Sequence, residues 1–204
     1  MLLKRLFDIL AAIFGLIVCI PVFITLAVLI KIKMPGPIFF RQNRVGQDAL
    51  LFKMVKFRTM KVNHGGSTIS VKGESRITPL GAIMRKYKLD ELPEFWNILI
   101  GDMSFVGPRP DVPGYADVLK GDDRLLLTVK PGLTGASSLR FSNEEELLAE
   151  QENPIKYNDE ILFPEKVRIN NNYIKNWNFW LDIKIIIYTI IGKKLSEDWA
   201  QSEL

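Results

Sequence analysis

The chain has only one cysteine, Cys19, and one histidine, His64, among its 204 residues. A single cysteine cannot form an intramolecular disulfide, and a single histidine cannot build a multi-histidine zinc site. The sequence also lacks a Walker A motif, a G-x-G-x-x-G motif and a G-x-S-x-G motif, so P-loop, dinucleotide-binding and nucleophile-elbow proteins find no support. Because 48% of the residues are hydrophobic and 25% are charged, an intrinsically disordered chain is excluded as well. The length allows one folded domain, or one with a short appendage.

A long uncharged run lies near the N-terminus. Residues 9–30 are 22 consecutive residues without a charge, and as a helix they would be about 33 Å long, enough to span a bilayer. Pro21, near the middle of the run, removes a backbone donor and predicts at least a kink. Basic residues stand on both sides of the run, namely Lys4, Arg5, Lys31 and Lys33.

Two arrangements of this segment are open from the residues alone. In the first, a single kinked helix crosses the membrane, since prolines are common in transmembrane helices. In the second, the helix breaks at Pro21 into halves of about 18 and 14 Å, each too short to cross a hydrocarbon core about 30 Å thick. The positive charge on both sides favours two ends on the cytoplasmic side. A cleaved signal peptide is a weaker interpretation, because no small-residue cleavage site precedes a polar mature start.

Positive charge is concentrated in the middle of the chain. Residues 31–110 hold 14 basic and 6 acidic side chains, a net charge of +8, whereas residues 111–204 hold 11 basic and 16 acidic ones. Such a basic segment is suited to an anionic partner. Nucleic acid is disfavoured as that partner, because the sequence combines a membrane segment with no recognisable nucleic-acid-binding module.

Short elements follow the membrane segment. Residues 38–58 predict a β-hairpin, and residues 61–77, rich in Gly, Ser and Thr and containing His64, predict a solvated surface loop. Thr78 followed by Pro79 predicts the start of a helix. That helix has an apolar stripe at helical spacing and a basic face, a pattern shared by helices at an anionic membrane surface and helices packed on a core. The stripe consists of Leu80, Ile83, Met84 and Tyr87.

The C-terminal third contains one acidic and one apolar segment. Residues 141–165 hold eight acidic residues and one lysine, which predicts a solvated helix face without chemistry. Residues 177–191, with two tryptophans before an apolar run, predict a helix that is buried or seated at a membrane interface.

The residues with the clearest chemical meaning lie in the segment L-D-E-L-P-E-F-W-N-I-L-I-G-D-M-S-F-V-G-P-R-P, residues 89–110. Pro93 and Gly101 predict the first turn and the end of a ten-residue helix. Asp90 would then lie at or just before the N-terminus, where free N–H groups favour the ionised carboxylate. An ionised aspartate can attack phosphorus, although an aspartate before a helix is also an ordinary N-cap. Glu91 adds a second carboxylate, and oxygen ligands of this kind suit Mg²⁺ together with substrate phosphates.

Several cations could bind those phosphates. They are Lys53, Lys56, Arg58, Arg85 and Arg109. Arg109 is the best defined, because prolines on both sides restrict its backbone and a planar guanidinium matches phosphate oxygens; a solvated arginine on a rigid turn is the other interpretation. The turn-rich residues 130–135, K-P-G-L-T-G, predict a loop near the same site.

These motifs together resemble the bacterial sugar transferases, the monotopic phosphoglycosyl transferases that begin glycoconjugate assembly. The resemblance rests on residues 89–110, on the upstream G-P-I-F-F-R-Q-N-R-V-G and F-K-M-V-K-F-R-T-M, and on the downstream K-P-G-L-T-G. It covers about residues 4–190. The fold it implies is α+β and mainly helical, with a re-entrant membrane helix over 1–34, a β-hairpin, interfacial amphipathic helices and a small cytoplasmic catalytic globule over 35–204.

The resemblance also implies a reaction. Members of this family transfer a sugar 1-phosphate from a UDP-sugar to polyprenyl (undecaprenyl) phosphate by a ping-pong mechanism that requires Mg²⁺ and releases UMP. Asp90 matches the nucleophile that forms a covalent phosphosugar intermediate, and Glu91 matches the metal-associated carboxylate. The implied location is the cytoplasmic face of the bacterial inner membrane, and the implied partners include the lipid bilayer and downstream glycosyltransferases.

Other positions follow from the same resemblance. Arg85, Arg109 and Lys56 match basic positions that we expect to bind phosphates, and Pro21 matches the proline that makes the membrane helix re-enter. Two departures stand out. Ile20 replaces the serine that usually precedes this proline, and residues 136–140 replace a glutamine and a G-R pair, with Arg140 as the candidate for that arginine.

A different class of function fits the same residues. A non-enzymatic membrane scaffold could use the basic segment to recruit anionic lipid or a partner glycosyltransferase. The two hypotheses differ in whether UMP is released from a UDP-sugar.

Overall fold

The structure is a computed structural model that describes residues 2–62 and 76–195, and these residues form an α+β fold that is mainly helical. The helices are α1 (Leu2–Val18), α2 (Ile20–Lys33), α3 (Pro79–Lys86), α4 (Glu94–Ile100), α5 (Ala136–Arg140), α6 (Glu144–Ala149), α7 (Pro154–Tyr157), α8 (Phe163–Lys175) and α9 (Phe179–Ile191). The strands are β1 (Phe39–Val45), β2 (Leu51–Phe57), β3 (Ser104–Val106) and β4 (Gly132–Thr134). Most of the loop predicted over 61–77, including His64, lies outside the described residues.

The N-terminal segment is broken close to the predicted position. α1 and α2 meet at an angle of 59°, and Pro21 lies in the first turn of α2, where its missing N–H leaves no intrahelical bond unmade. Among the described helices, none is by itself long and apolar enough to cross a membrane, whereas this bent pair meets that criterion when its two halves are taken together. The break itself is therefore confirmed.

The four strands form two separate two-stranded sheets. β1 and β2 form the predicted antiparallel hairpin, with Phe39 opposite Phe57 and Val45 opposite Leu51. β3 and β4 are parallel, with Ser104 opposite Gly132. This pairing was not predicted, because three-residue strands that lie far apart in the chain leave no alternation to detect.

The parallel pair brings two predicted loops together. The Gly107 N–H donates to the Thr134 carbonyl at 3.0 Å, and the Gly132 N–H donates to the Pro108 carbonyl at 2.8 Å. A Cβ on Gly132 would lie 2.1 Å from the Gly107 nitrogen, so only glycine allows the two backbones to approach this closely. The K-P-G-L-T-G loop therefore lies beside the loop that carries Arg109, as predicted.

The helix that begins at Thr78 packs on the core with only part of its apolar stripe. The Thr78 hydroxyl accepts a hydrogen bond from the Gly81 N–H at 3.0 Å, which confirms the predicted N-cap. Met84 is buried against Phe57, Ile30 and their neighbours, whereas Ile83 and Tyr87 are exposed. The described part of the chain thus leaves half of the stripe on the surface.

α9 has one buried and one exposed face. Leu181 and Ile185 are buried with residues of α5, α8 and β3 in a common core cluster. Trp180 and Ile190 remain 77% and 78% exposed. The prediction of a buried helix over residues 177–191 is therefore confirmed for the inner face, whereas seating at a membrane interface stays a prediction for the outer face.

Candidate active site

The start of α4 collects three buried carboxyl groups. Lys88 adopts a left-handed conformation with φ 55°, which turns the chain into a short 3₁₀ turn over Leu89–Glu91. Asp90 and Glu91 lie in that turn, Glu94 follows in the first turn of α4, and their residues are 8%, 8% and 1% exposed. The helix is shorter than predicted, with seven residues, and Asp90 lies inside the 3₁₀ turn rather than at a helix N-cap.

Two of the predicted cations lie against these carboxyl groups. Lys56, on β2, places its ammonium 2.9 Å from Glu91 Oε1 and 3.0 Å from Glu94 Oε1. Arg109, on the loop after β3, donates to the same Glu91 oxygen at 2.6 Å. The loop and the hairpin therefore meet at Glu91.

Asp90 lies beside this group without sharing its contacts. Its Oδ1 atom is buried and has no hydrogen-bond partner among the described residues. Six other buried side-chain atoms of the described residues also lack a hydrogen bond, among them Arg44 Nε and the ion-paired Glu94 Oε1 near the same site. A buried acceptor without a partner is costly, so a ligand that supplies the missing contact is favoured here. Asp90 Oδ1 is thus the oxygen in this turn whose contacts remain to be made.

Neighbouring carboxyl groups in the turn have opposite electrostatic environments. Burial raises the pKa of Glu91, but Arg109 and Lys56 outweigh it and hold that pKa well below its usual range. Burial also raises the pKa of Asp90, and here the attraction of Lys56 offsets only part of the effect. The pKa of Glu94 is raised for the same reason. The expectation that the helix end would favour the ionised form of Asp90 is therefore wrong in direction, because burial dominates.

Arg44 and Asp111 also belong to this site, although the sequence analysis did not single them out. Arg44 donates to the Pro110 carbonyl at 3.1 Å, and the Val45 N–H donates to the Asp111 carbonyl at 2.9 Å. The end of β1 therefore holds the loop that carries Arg109. Burial raises the pKa of the Asp111 carboxyl to about 6, with Lys166 and Arg44 opposing the shift. Both residues could have been predicted from their positions in the sequence, since Arg44 lies in the motif G-P-I-F-F-R-Q-N-R-V-G and Asp111 directly follows G-P-R-P.

Arg85 and Arg140 are placed differently from Arg109. Arg85 forms an ion pair with Glu145 of α6, and its side chain is 19% exposed. The Arg140 guanidinium lies 5.7 Å from the centre of the Phe141 ring at the end of α5. Glu144, next to Glu145, pairs with Lys166 of α8 at 2.6 Å. The acidic segment is therefore not simply a solvated face, since Glu144, Glu145 and Glu165 each pair with a basic side chain.

Two other cations point away from the carboxyl groups. Arg58 is buried and donates to the Pro37 carbonyl at 2.7 Å and to the Met34 carbonyl, so it closes the end of α2 instead. The Lys53 side chain is exposed, and because side chains alternate along a strand it lies on the opposite face of β2 from Lys56. Lys53 and Arg58 thus lie apart from Lys56 and Arg109, and their binding to phosphates stays a prediction.

Comparison with known proteins assigns the chain to a family. A family model described as bacterial sugar transferase matches residues 1–194. The chain belongs to the bacterial sugar transferase family. This membership confirms the resemblance drawn from the motifs, and two of the cations in those motifs, Lys56 and Arg109, meet at Glu91.

Two of three similar proteins are named for transfer of a sugar phosphate to undecaprenyl phosphate. The UDP-glucose:undecaprenyl-phosphate glucose-1-phosphate transferase of Escherichia coli (strain K12) is 36% identical over 196 residues, 93% of this chain and 39% of the relative. The UDP-N-acetylgalactosamine-undecaprenyl-phosphate N-acetylgalactosaminephosphotransferase of Aeromonas hydrophila is 35% identical, over 92% of this chain and 43% of the relative. The uncharacterized sugar transferase EpsL of Bacillus subtilis (strain 168) is 36% identical, over 99% of this chain and 92% of its own length. The chain thus spans about two fifths of the first two relatives and nearly all of the third.

Proposed function

We propose that this chain transfers a sugar 1-phosphate from a UDP-sugar to polyprenyl (undecaprenyl) phosphate and releases UMP. The names of its relatives support the two substrates. The observation that carries the chemistry is the buried, unpartnered Oδ1 of Asp90 beside a glutamate held by two cations. A carboxylate in that environment is poorly solvated, which favours its use as a nucleophile.

The reaction proceeds in two displacements at one phosphorus atom. In the first, the Asp90 carboxylate forms a bond to the β-phosphorus of the UDP-sugar while the bond to UMP breaks, and the phosphosugar remains on Asp90. In the second, a phosphate oxygen of polyprenyl phosphate attacks the same phosphorus and the carboxylate leaves. Each displacement exchanges one P–O bond for another, so no other reactant is needed.

Lys56 and Arg109 bind the phosphates in this proposal. Both lie within 3.0 Å of a Glu91 carboxylate oxygen, which supports their binding of an anion at this position. A diphosphate entering the site competes with Glu91 for them, and charge on the departing UMP is stabilised by the same groups. Arg85 and Arg140 are the further candidates, and Arg85 has to leave Glu145 before it can contribute.

The residues present fit a magnesium ion. Among residues 2–62 and 76–195, no group of three or more acidic, histidine or cysteine side chains could hold a metal alone, but Mg²⁺ commonly uses one or two carboxylates together with substrate phosphates. Glu91, whose contacts with Lys56 and Arg109 both use Oε1, and the neighbouring Asp90 are the carboxylates that would hold it. When bound, it would neutralise charge on the diphosphate.

We also propose that α1 and α2 form a re-entrant membrane helix within residues 1–34, with the catalytic domain, residues 35–204, on the cytoplasmic face of the bacterial inner membrane. The 59° bend supports this arrangement, as do the exposed apolar side chains along α1, such as Leu10, Phe14 and Ile17. In a variant with Cys19 replaced by serine, single cysteines at positions 3 and 33 should both react with a membrane-impermeant reagent from the cytoplasmic side. Reaction at position 3 from the periplasmic side would establish a crossing helix instead.

The reaction is tested by screening UDP-sugars for UMP release with Mg²⁺ and no lipid acceptor. We expect one UDP-sugar to give a burst of about one UMP per enzyme, together with a phosphosugar adduct on Asp90 detected by mass spectrometry. Adding polyprenyl phosphate should then discharge the adduct. Absence of UMP release with every UDP-sugar would favour the scaffold hypothesis over the enzymatic one.

A further inference from the structure

The first turns of α1 hold three charged side chains that contact catalytic elements. They are Lys4, Arg5 and Asp8. From the sequence, the two cations are topology signals beside a membrane segment. In the structure, the same two cations donate hydrogen bonds to backbone carbonyls of β3 and α4. A role in membrane topology does not account for these contacts.

Lys4 joins β3 to α9. Its ammonium donates to the Val106 carbonyl at 2.9 Å and forms an ion pair with Asp182 at 2.5 Å. Val106 directly precedes the Gly107-Pro108-Arg109 loop. The Lys4 side chain is only 15% exposed, so this cation is committed to internal contacts rather than to lipid headgroups.

Asp182 is held rigidly on the other side of that contact. It is 2% exposed and accepts hydrogen bonds from the Tyr173 hydroxyl at 2.5 Å and from the Trp177 indole N–H at 3.0 Å. Because Tyr173 lies on α8 and Trp177 on the short link between α8 and α9, their hydrogen bonds give Asp182, and with it Lys4, a defined position. Lys4 in turn fixes the carbonyl at the end of β3.

Arg5 and Asp8 tie the same turn of α1 to the other half of the site. Arg5 donates to the Ile98 and Leu99 carbonyls at 2.6 and 2.9 Å, in the last turn of α4, where the Ile98 carbonyl also accepts from the Gly101 N–H at 3.1 Å. Asp8 Oδ1 accepts from the Phe105 N–H at 3.0 Å on β3. One turn of α1 therefore contacts both the strand that leads to Arg109 and the helix that follows Asp90 and Glu91.

We infer that Lys4, held by Asp182, is a positioning residue that fixes Arg109 relative to the carboxylates at the start of α4. Seating of the membrane helix would then set the geometry of phosphate binding, and not only the location of the enzyme. This inference rests on the proposed function, because it assigns Arg109 to the UDP-sugar. The inference gives Lys4 a role in substrate binding although Lys4 touches no substrate and lies 105 positions before Arg109 in the chain.

The test is a double-mutant cycle on the full chain in lipid nanodiscs, using the UDP-sugar selected by the screen. Lys4→Met keeps the length of the side chain and removes its donors. We expect it to raise the KM for the UDP-sugar on the order of ten-fold, since small displacements of a binding group have large effects. In an Arg109→Ala background, the same substitution should change KM by less than about two-fold, because residues that act through one another are non-additive. Equal factors in both backgrounds would overturn the inference.

Two variants separate positioning from charge. Leu2→Lys/Lys4→Met restores the N-terminal charge at a side chain that is 87% exposed but not the contact with Val106, so its KM should stay as high as that of Lys4→Met. Recovery of the wild-type KM by this variant would assign Lys4 to membrane topology alone. Lys4→Arg, which can donate to both partners, should recover most of the wild-type value, and Lys33→Met controls for the loss of an exposed cation.

A readout independent of activity completes the test. In Lys4→Met, hydrogen–deuterium exchange should accelerate in residues 104–110 and stay unchanged in the β1–β2 hairpin. No change in residues 104–110 in a folded Lys4→Met would refute the positioning role even if no UDP-sugar proved to be a substrate. Wild-type protein that releases no UMP would count against the proposed function, whereas wild-type activity with an unaltered Lys4→Met would count against this inference alone.

Discussion

Two buried clusters of acidic and basic side chains can be compared in this molecule. The site cluster consists of Asp90, Glu91, Glu94, Lys56 and Arg109 at the start of α4. The anchor cluster consists of Lys4, Tyr173, Trp177 and Asp182, between α1, α8 and α9. Both bury carboxylates beside a lysine, yet their hydrogen bonding differs.

Every oxygen of Asp182 in the anchor cluster has a partner. Oδ1 accepts from Tyr173, and Oδ2 accepts from Lys4 and Trp177. In the site cluster, by contrast, Asp90 Oδ1 is buried without a partner, while one oxygen of Glu91 receives two cations. A fully partnered cluster stabilises one conformation, whereas an incompletely partnered one is suited to receive a ligand. The same substitution should therefore have opposite consequences in the two clusters.

The largest effect is expected for Asp90→Asn. An amide cannot form the phosphosugar intermediate, so the rate of UMP release should fall about 10⁴-fold or more. The free energy of unfolding at pH 7 should not decrease, because burial raises the pKa of Asp90 and the ionised form therefore destabilises the folded state above that pKa. Single-turnover kinetics and urea titration measure the two quantities. Asp48→Asn, at an exposed aspartate, is the isosteric control, and wild-type turnover in Asp90→Asn would end the assignment of the nucleophile.

Asp182→Asn applies the same chemical change to the anchor cluster. The amide presents a donor to Lys4 or Trp177, and the ammonium loses its counter-charge in a buried site. Breaking one partner of a buried ion pair usually lowers the free energy of unfolding by about 3–5 kcal/mol. Urea denaturation followed by tryptophan fluorescence should show this loss. An unchanged midpoint would mean that the anchor cluster does not stabilise the fold and would remove the contrast between the two clusters.

The sequence predicted the site cluster better than the anchor cluster, and the reason is distance along the chain. Asp90 and Glu91 are adjacent, and Lys56 and Arg109 lie in short motifs whose residue types already suit phosphate chemistry. Local periodicity likewise predicted the hairpin and the Thr78 helix start. The Lys4–Asp182 pair joins residues 178 positions apart, so no local pattern reveals it, and Lys4 was interpreted from its nearest neighbours alone.

Partners that are distant in the chain account for what local patterns did not give. Arg85 lies five residues before Asp90 and is predicted to bind phosphate, and in the structure it pairs with Glu145, 60 residues later, which no local pattern reveals. The ionisation of Asp90 was predicted from a helix end, but its burial depends on how β2 and the Arg109 loop pack around it. Sequence patterns give the type of each side chain and its local direction, whereas burial and choice of partner come from packing.

Asp111→Asn should change how the stability of the folded protein depends on pH. Asp111 lies at the edge of the site cluster, and its folded pKa of about 6 exceeds the value near 3.9 of an unfolded aspartate. The wild type therefore loses stability relative to the variant as the pH rises from about 4 to 6, by about 3 kcal/mol at most. Urea midpoints of both proteins at pH 4.5, 5.5 and 7 should show a difference that grows in favour of Asp111→Asn. A difference that does not vary with pH would mean that Asp111 titrates normally.

The smallest effect is expected for Glu145→Gln, which tests whether Arg85 leaves its ion pair with Glu145 to bind the donor phosphates. The Arg85–Glu145 pair is partly exposed, with side chains 19% and 45% accessible, so its loss should change the free energy of unfolding by less than about 0.5 kcal/mol. Arg85 then has no carboxylate competing with the diphosphate, and the KM for the UDP-sugar should fall about three-fold, within the range expected for an exposed charge pair. Glu165→Gln removes a comparable ion pair, that with Arg168 on α8, and should leave KM unchanged. An unchanged or higher KM in Glu145→Gln would show that Arg85 does not bind the donor phosphates, and would leave Lys56 and Arg109 as the cations that do.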